Sequence, residues 1–142
     1  MKVFKHASAI WNGTVPAGTG SMKLGRAGEV LPISLKSRVE DVPMTNPEEL
    51  IGAAHAGCFS MALSSLIEEE GKVPGSVETS AKVTLEQRDD GFWISEINLI
   101  TRGSNQAMTN DEFVALAEKA KTTCPVSKLY SSATITLDAA LA

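Results

Sequence analysis

Cysteine is scarce in this sequence: Cys58 and Cys124 are the only two in 142 residues. Two cysteines do not make the disulfide framework of a small secreted domain, so in a reducing compartment they are either packed core or chemistry. A run of positive charge is also missing. Thirteen Lys and Arg stand against seventeen Asp and Glu, a formal charge of −4, and nucleic acid is excluded as the main partner because phosphate binding needs clustered positive charge. The longest nearly apolar run, Leu50 to Leu66, is broken by His55 and by Ser and Gly residues. It falls short of about 18 continuous apolar residues, so no membrane span is expected. The N-terminal MKVFKHASAIW lacks the apolar centre of a secretory signal, and a cytoplasmic location is expected. Repeats, low-complexity tracts and linkers are lacking as well. What is present is an ordinary globular mix, 43% apolar and 21% charged, enough to fill a core. At this length one domain over residues 1–142 is expected.

Turn signals at Asn12-Gly13 and Ala17-Gly18 separate β-leaning residues 2–11 and 18–24, which predicts a first hairpin. Residues 30–39 predict a third strand, with Pro32 placing it at an edge. A helix then opens with Asn46 as cap, Pro47 at its first position and acidic Glu48 and Glu49 in its first turn. It is expected to run to about Glu70 and stop at Gly71, with Pro74 beyond. Its middle is apolar on most sides, as in a helix buried in a large core or between subunits. A chain of this size has limited means to surround it, so a homodimer built around this helix is expected.

Residues 77–86 alternate with period two, placing Val77, Thr79, Ala81, Val83 and Leu85 on one face. Asp89-Asp90-Gly91 turns the chain into a second strand from about Phe92 to Arg102. Residues 109–122 predict an amphipathic helix with the stripe Phe113, Leu116, Ala117 and Ala120. A short helix is expected after Pro125, and 133–137 predict a last strand. The fold class is α+β.

Cys58 falls midway along the long helix, where the helix dipole gives a thiol little help. It is either a small core residue or a nucleophile that needs a nearby cation. Cys124 would cap a helix starting at Pro125, where free backbone N–H groups lower a thiol pKa. His55 and Cys58 share a helix face, but only His6 and Cys124 remain as further soft ligands, at no recognisable metal spacing. No metal and no cofactor are expected. Glu48 and Glu49 most simply serve the helix start, and Arg38 a strand surface. The glycine-containing runs at 18–20 and 52–57 do not have the form of phosphate loops.

The segment Thr45 to Leu63, TNPEELIGAAHAGCFSMAL, together with Lys119 to Ser127, KAKTTCPVS, resembles the two cysteine motifs of the OsmC/Ohr family of thiol peroxidases. Weaker similarity extends over nearly the whole chain and is nearest to the OsmC branch, which keeps an arginine where Ser37-Arg38-Val39-Glu40 stands. The Ohr branch keeps its arginine nearer the N-terminus, where this chain has no convincing equivalent. The resemblance implies an intertwined α+β homodimer that reduces organic hydroperoxides, and hydrogen peroxide more weakly, in oxidative or osmotic stress defence. It implies Cys58 as peroxidatic and Cys124 as resolving cysteine, with Arg38 and Glu48 at the active site, and a small dithiol or lipoylated protein as reductant. A bidentate carboxylate would hold the guanidinium, and a second thiol would capture the sulfenic acid before further oxidation. Apolar Leu50, Ile51, Phe59 and Met61 would favour a greasy substrate. Ten residues on one helix separate Glu48 from Cys58 by about 15 Å, so the Arg–Glu and Cys pairs of each site are expected to come from different protomers. The alternative from another class is a non-catalytic apolar-ligand-binding or redox-sensing protein on the same fold.

Overall fold

The first hairpin turns at Gly13, whose φ of 91° suits glycine. In the computed structural model, which describes residues 1–104 and 107–142, β1 (Ala7–Asn12) pairs antiparallel with β2 (Thr19–Leu24). Residues 2–6, expected in the first strand, lie outside it. Gly20 is required by close packing: a Cβ there would meet the Ile10 carbonyl oxygen at 2.6 Å and the Trp11 ring at 2.7 Å. Strand β3 (Val30–Ile33) lies at the edge of this sheet with Pro32 opposite Ser21. The edge position predicted from Pro32 is thus observed, but the strand stops six residues before the predicted end. Ser34 caps helix α1 (Leu35–Val39), its Oγ accepting from the Ser37 N–H at 3.1 Å while Ser37 Oγ accepts from the Ser34 N–H at 3.1 Å. Arg38 therefore stands on a short helix, not on a strand surface. These elements belong to the first of two compact units, Met1–Leu50 and Ile51–Ala142.

Helix α2 (Pro47–Glu69) opens as its punctuation predicts, with Asn46 Oδ1 accepting from the Glu49 N–H at 2.8 Å. It ends at Gly71, whose φ is 70°. Phe59, Leu63, Leu66 and Ile67 of α2 join Ile97, Leu99, Phe113, Ala117 and Ala120 in the buried core of the second unit. Gly52 lets this helix approach β4 (Ser76–Arg88): a Cβ there would sit 3.3 Å from Val83. The expectation of burial on most sides fails in the single chain, because Ala53, Ala54, Gly57 and Met61 are exposed. By length and composition α2 would pass for a membrane-crossing helix. Its fully buried His55, Phe59, Leu63 and Ile67 make it a core helix instead.

Strand β4 and β5 (Gly91–Ser104) form the predicted long hairpin, with a register shift after Thr84 that leaves Ser95 unmatched. Helix α3 (Asn110–Thr123) carries a capping box between Thr109 and Glu112 and buries Phe113, Ala117 and Ala120. It serves as the crossover that parallel pairing requires, because β6 (Thr134–Leu141) runs parallel to β5 in the order β4-β5-β6. The last strand is thus longer than the predicted 133–137. Helix α4 (Pro125–Leu129) follows α3 directly, Cys124 closing one and opening the other.

Candidate active site

In the second unit α2 and the α3–α4 junction bring both cysteines together. Cys58 comes from mid-helix and is half-buried; Cys124 is fully buried. Both are free thiols, and their Sγ atoms lie 2.9 Å apart. A disulfide needs about 2.05 Å, so less than 1 Å of approach separates the pair from a bond. Pro125 explains the geometry: it starts α4 at once and makes Cys124 the N-cap of that helix.

The two thiols differ in acidity. Burial pushes Cys58 up, and sharing a hydrogen with Cys124 adds to this, against a smaller opposing donation from the Val126 N–H. No cation is among these influences. Burial also opposes ionisation of Cys124. There, however, the adjoining Cys58 thiol and the polar groups of Ser127 and Val126 at the start of α4 outweigh it and hold the thiol below its ordinary value. Within this unit the negative charge is better held on Cys124.

His55 lies one turn before Cys58 and is fully buried. Its Nε2 is 2.7 Å from Ser127 Oγ, and its ring meets Tyr130 edge-on with centroids 5.6 Å apart. Burial lowers its pKa, so the imidazole is neutral at neutral pH. The sequence reading placed His55 beside the thiol but missed Ser127 and Tyr130. The available signal was Ser127 in the first turn after Cys124-Pro125. Phe59, expected among the apolar neighbours of the thiol, points into the core instead, since adjacent helix positions diverge by about 100°.

In the first unit Arg38 meets Glu48. Nη2 donates to Oε1 at 2.6 Å, and Nε donates to Oε1 at 3.2 Å and to Oε2 at 3.4 Å. Glu48 is nearly buried, with 7% exposure, whereas Glu49 is exposed and contributes its N–H to the Asn46 cap. The 7% matters because a desolvated carboxylate needs such a partner. The guanidinium also borders a cavity of about 230 Å³ walled by Trp11, Val15, Ile33 and Leu35. Geometry therefore selects Glu48 over Glu49 as the partner of Arg38.

Comparison with known proteins adds the kinship. The sequence matches the family described as OsmC-like protein over residues 40–138, a span that includes both cysteines and Glu48 and begins just after Arg38. The chain is 41% identical to Peroxiredoxin OsmC of Escherichia coli over 140 residues, 97% of this chain and 96% of that protein. It is 35% identical to the organic hydroperoxide resistance protein OhrA of Bacillus subtilis over 89 residues, covering 61% and 60% of the two chains. Among solved structures, the organic hydroperoxide resistance protein of Elizabethkingia anophelis superposes with a TM-score of 0.76 at 24% identity, covering 100% of both chains. The organic hydroperoxide resistance protein OsmC of Legionella pneumophila gives 0.76 at 22% identity, covering 98% and 99%. At these identities the two structures establish the α+β fold. A family match over most of the sequence and a 41% identical relative aligned almost end to end establish that this chain belongs to the OsmC-like protein family.

Proposed function

We propose that this protein is a thiol-dependent peroxidase that reduces organic hydroperoxides, and hydrogen peroxide more weakly, to alcohol or water. The observation that carries the reading is the pair of free thiols 2.9 Å apart in a chain whose relatives are named for peroxide reduction and resistance. The Cys58 thiolate attacks the distal peroxide oxygen. The O–O bond breaks, sulfur becomes a sulfenic acid and the leaving alkoxide takes a proton. Cys124 then attacks Cys58, the S–O bond breaks, water leaves and a Cys58–Cys124 disulfide remains. A small dithiol or a lipoylated protein returns both thiols. A binding protein of the same fold would need no second thiol at this distance, so that alternative is not favoured.

The acidity of the pair supports a composite site. Cys58 is pushed up for want of a cation, and Arg38, a permanent one, sits on Glu48. By sequence spacing, ten helical residues separate Glu48 from Cys58 by about 15 Å. In this reading the Arg38–Glu48 pair of one protomer serves the cysteines of its partner, and the two units act as one domain over 1–142. Exposed Ala53, Ala54, Gly57 and Met61 along α2, and a first strand exposed along its whole length, fit a homodimer that covers them. The apolar cavity beside Arg38 would receive the alkyl group. A stress-defence role in the cytoplasm completes the reading. Thiol titration tests it: one equivalent of tert-butyl hydroperoxide should consume two thiols per chain and leave an intramolecular disulfide. Loss of one thiol per chain, or of none, would contradict it.

A further inference from the structure

Three hydroxyls lie between α2 and the second sheet, and the peroxide reaction above uses none of them. Ser60 of α2 donates to Thr79 Oγ1 at 2.8 Å, Thr79 Oγ1 lies 2.9 Å from Thr101 Oγ1, and Thr101 donates to the Glu78 carbonyl oxygen at 3.2 Å. A hydroxyl has one hydrogen. Thr101 gives its own to Glu78, so Thr79 donates to Thr101, and the three bonds run in one direction from the helix to the strands. Thr79 and Thr101 face each other across β4 and β5, and Thr101 is fully buried. A buried polar chain with every hydrogen placed rigidifies the elements it joins and specifies one arrangement of them.

Helix α2 needs such a device. Its exposed side carries Ala53, Ala54, Gly57 and Met61, and its covered side Phe59, Leu63 and Ile67. With apolar residues on both sides, burial alone chooses its packed face weakly. Gly52 supplies a second fixed contact, since a Cβ there would sit 3.3 Å from Val83. From Gly52 to Ser60 the helix rises about 12 Å, and from Val83 back to Thr79 the strand spans about 13 Å, so one register satisfies both contacts. A slip of one turn that set Ser64 opposite Thr79 would also set Ala56 against Val83 in place of Gly52. It would carry Cys58, two residues before Ser60, about 5.4 Å along the axis, away from the Cys124 sulfur that now lies 2.9 Å from its own.

We propose that Ser60, Thr79 and Thr101 are positioning residues, a hydroxyl chain that locks α2 in register on the β4–β5 hairpin and so holds Cys58 within bonding reach of Cys124. The inference rests on the peroxidase reading for what the thiol pair does, and goes beyond it by naming what sets the distance between the two sulfurs. The hydroxyls act through the helix and exchange no atom or electron with the thiols. Their effect is on how often Cys58 and Cys124 meet, and therefore on how readily their disulfide closes.

The test is the equilibrium of the Cys58–Cys124 couple in buffers of reduced and oxidised glutathione, read by counting free thiols with no peroxide present. The protein disulfide forms as one glutathione disulfide is reduced to two glutathione thiols. Thr79→Val keeps the side-chain shape and the strand preference and removes the middle hydroxyl. It should lower the equilibrium constant for disulfide formation about tenfold, the weight of one lost hydrogen bond, which raises the reduction potential by about 30 mV. Thr79→Ser loses a methyl group but keeps the hydroxyl, and should stay within about twofold of wild type. An unaltered potential in Thr79→Val would overturn the proposal. So would a larger loss in Thr79→Ser than in Thr79→Val, because it would assign the residue to packing. Ser60→Ala leaves the strands untouched at a half-buried position where a helix favours alanine. It should lower the constant in the same direction, and a wild-type potential there would also overturn the chain. The equilibrium does not depend on peroxide chemistry. A wild type that consumes no tert-butyl hydroperoxide refutes the peroxidase reading, and the potentials still decide the hydroxyl chain.

Discussion

Closing the Cys58–Cys124 bond should stabilise the folded chain by a calculable amount. The two residues are 66 apart in sequence, and cross-linking a loop of that size removes about 4 kcal/mol of denatured-state entropy in the chain-entropy model. Native-state strain would subtract from this, but the sulfur atoms already sit 2.9 Å apart, so closure asks for less than 1 Å of movement. Urea unfolding of the oxidised and reduced forms, at one protein concentration so that any oligomer contributes equally, reads the difference. With a slope of about 2 kcal/mol per molar for a chain of this size, the oxidised midpoint should lie about 2 M higher. An equal or lower midpoint would refute the reasoning. It would mean that the bond forms only by prising α2 away from the α3–α4 junction, and that the close approach of the reduced thiols is not a native feature.

Other outcomes follow from the same coordinates. Leu63→Ala, at a fully buried position of α2, should cost about 3 kcal/mol in urea unfolding, in the range for buried leucines. Glu48→Gln removes the charged acceptor of Arg38 and should lower kcat/KM for tert-butyl hydroperoxide by about 10- to 100-fold, with the fold intact by circular dichroism. Arg38→Met should expose the raised pKa of Cys58. The thiolate fraction then grows about tenfold per pH unit below that pKa, so the peroxide rate should climb steeply from pH 7 to 9 where wild type is flatter. The lowered pKa of His55 has its own sign. The unfolded chain takes up the proton near pH 6.5 while the folded one resists. Stability should therefore be full above about pH 6.5 and fall as the pH drops below it, less so in His55→Gln, as read by unfolding midpoints between pH 7.5 and 5.

Local chemistry was the legible part of the fold. Asn46-Pro47, Gly71 and Asp90-Gly91 act within a few residues, and the long helix and the long hairpin appear where those signals put them. The strand expected over 30–39 was misread because Ser34 finds its reciprocal partner in Ser37 rather than in the Glu or Gln of the usual capping box. The extent of β6 was hidden because parallel pairing to β5 is a long-range property. The same distinction divides the site. Glu48 and Arg38 are ten residues apart, and their pairing was expected only through the family resemblance. The His55–Ser127 contact links residues 72 apart and left no mark in local spacing. Exposure along α2 was likewise beyond the reach of composition, which registers that a helix is apolar and not which of its faces its own chain covers.

The most direct measurement is steady-state consumption of tert-butyl hydroperoxide with excess dithiothreitol, wild type beside Cys58→Ser. The account predicts rapid turnover by wild type that vanishes in the variant. Equal, slow consumption by both would contradict it, and this chain would then share the fold of its relatives without their chemistry.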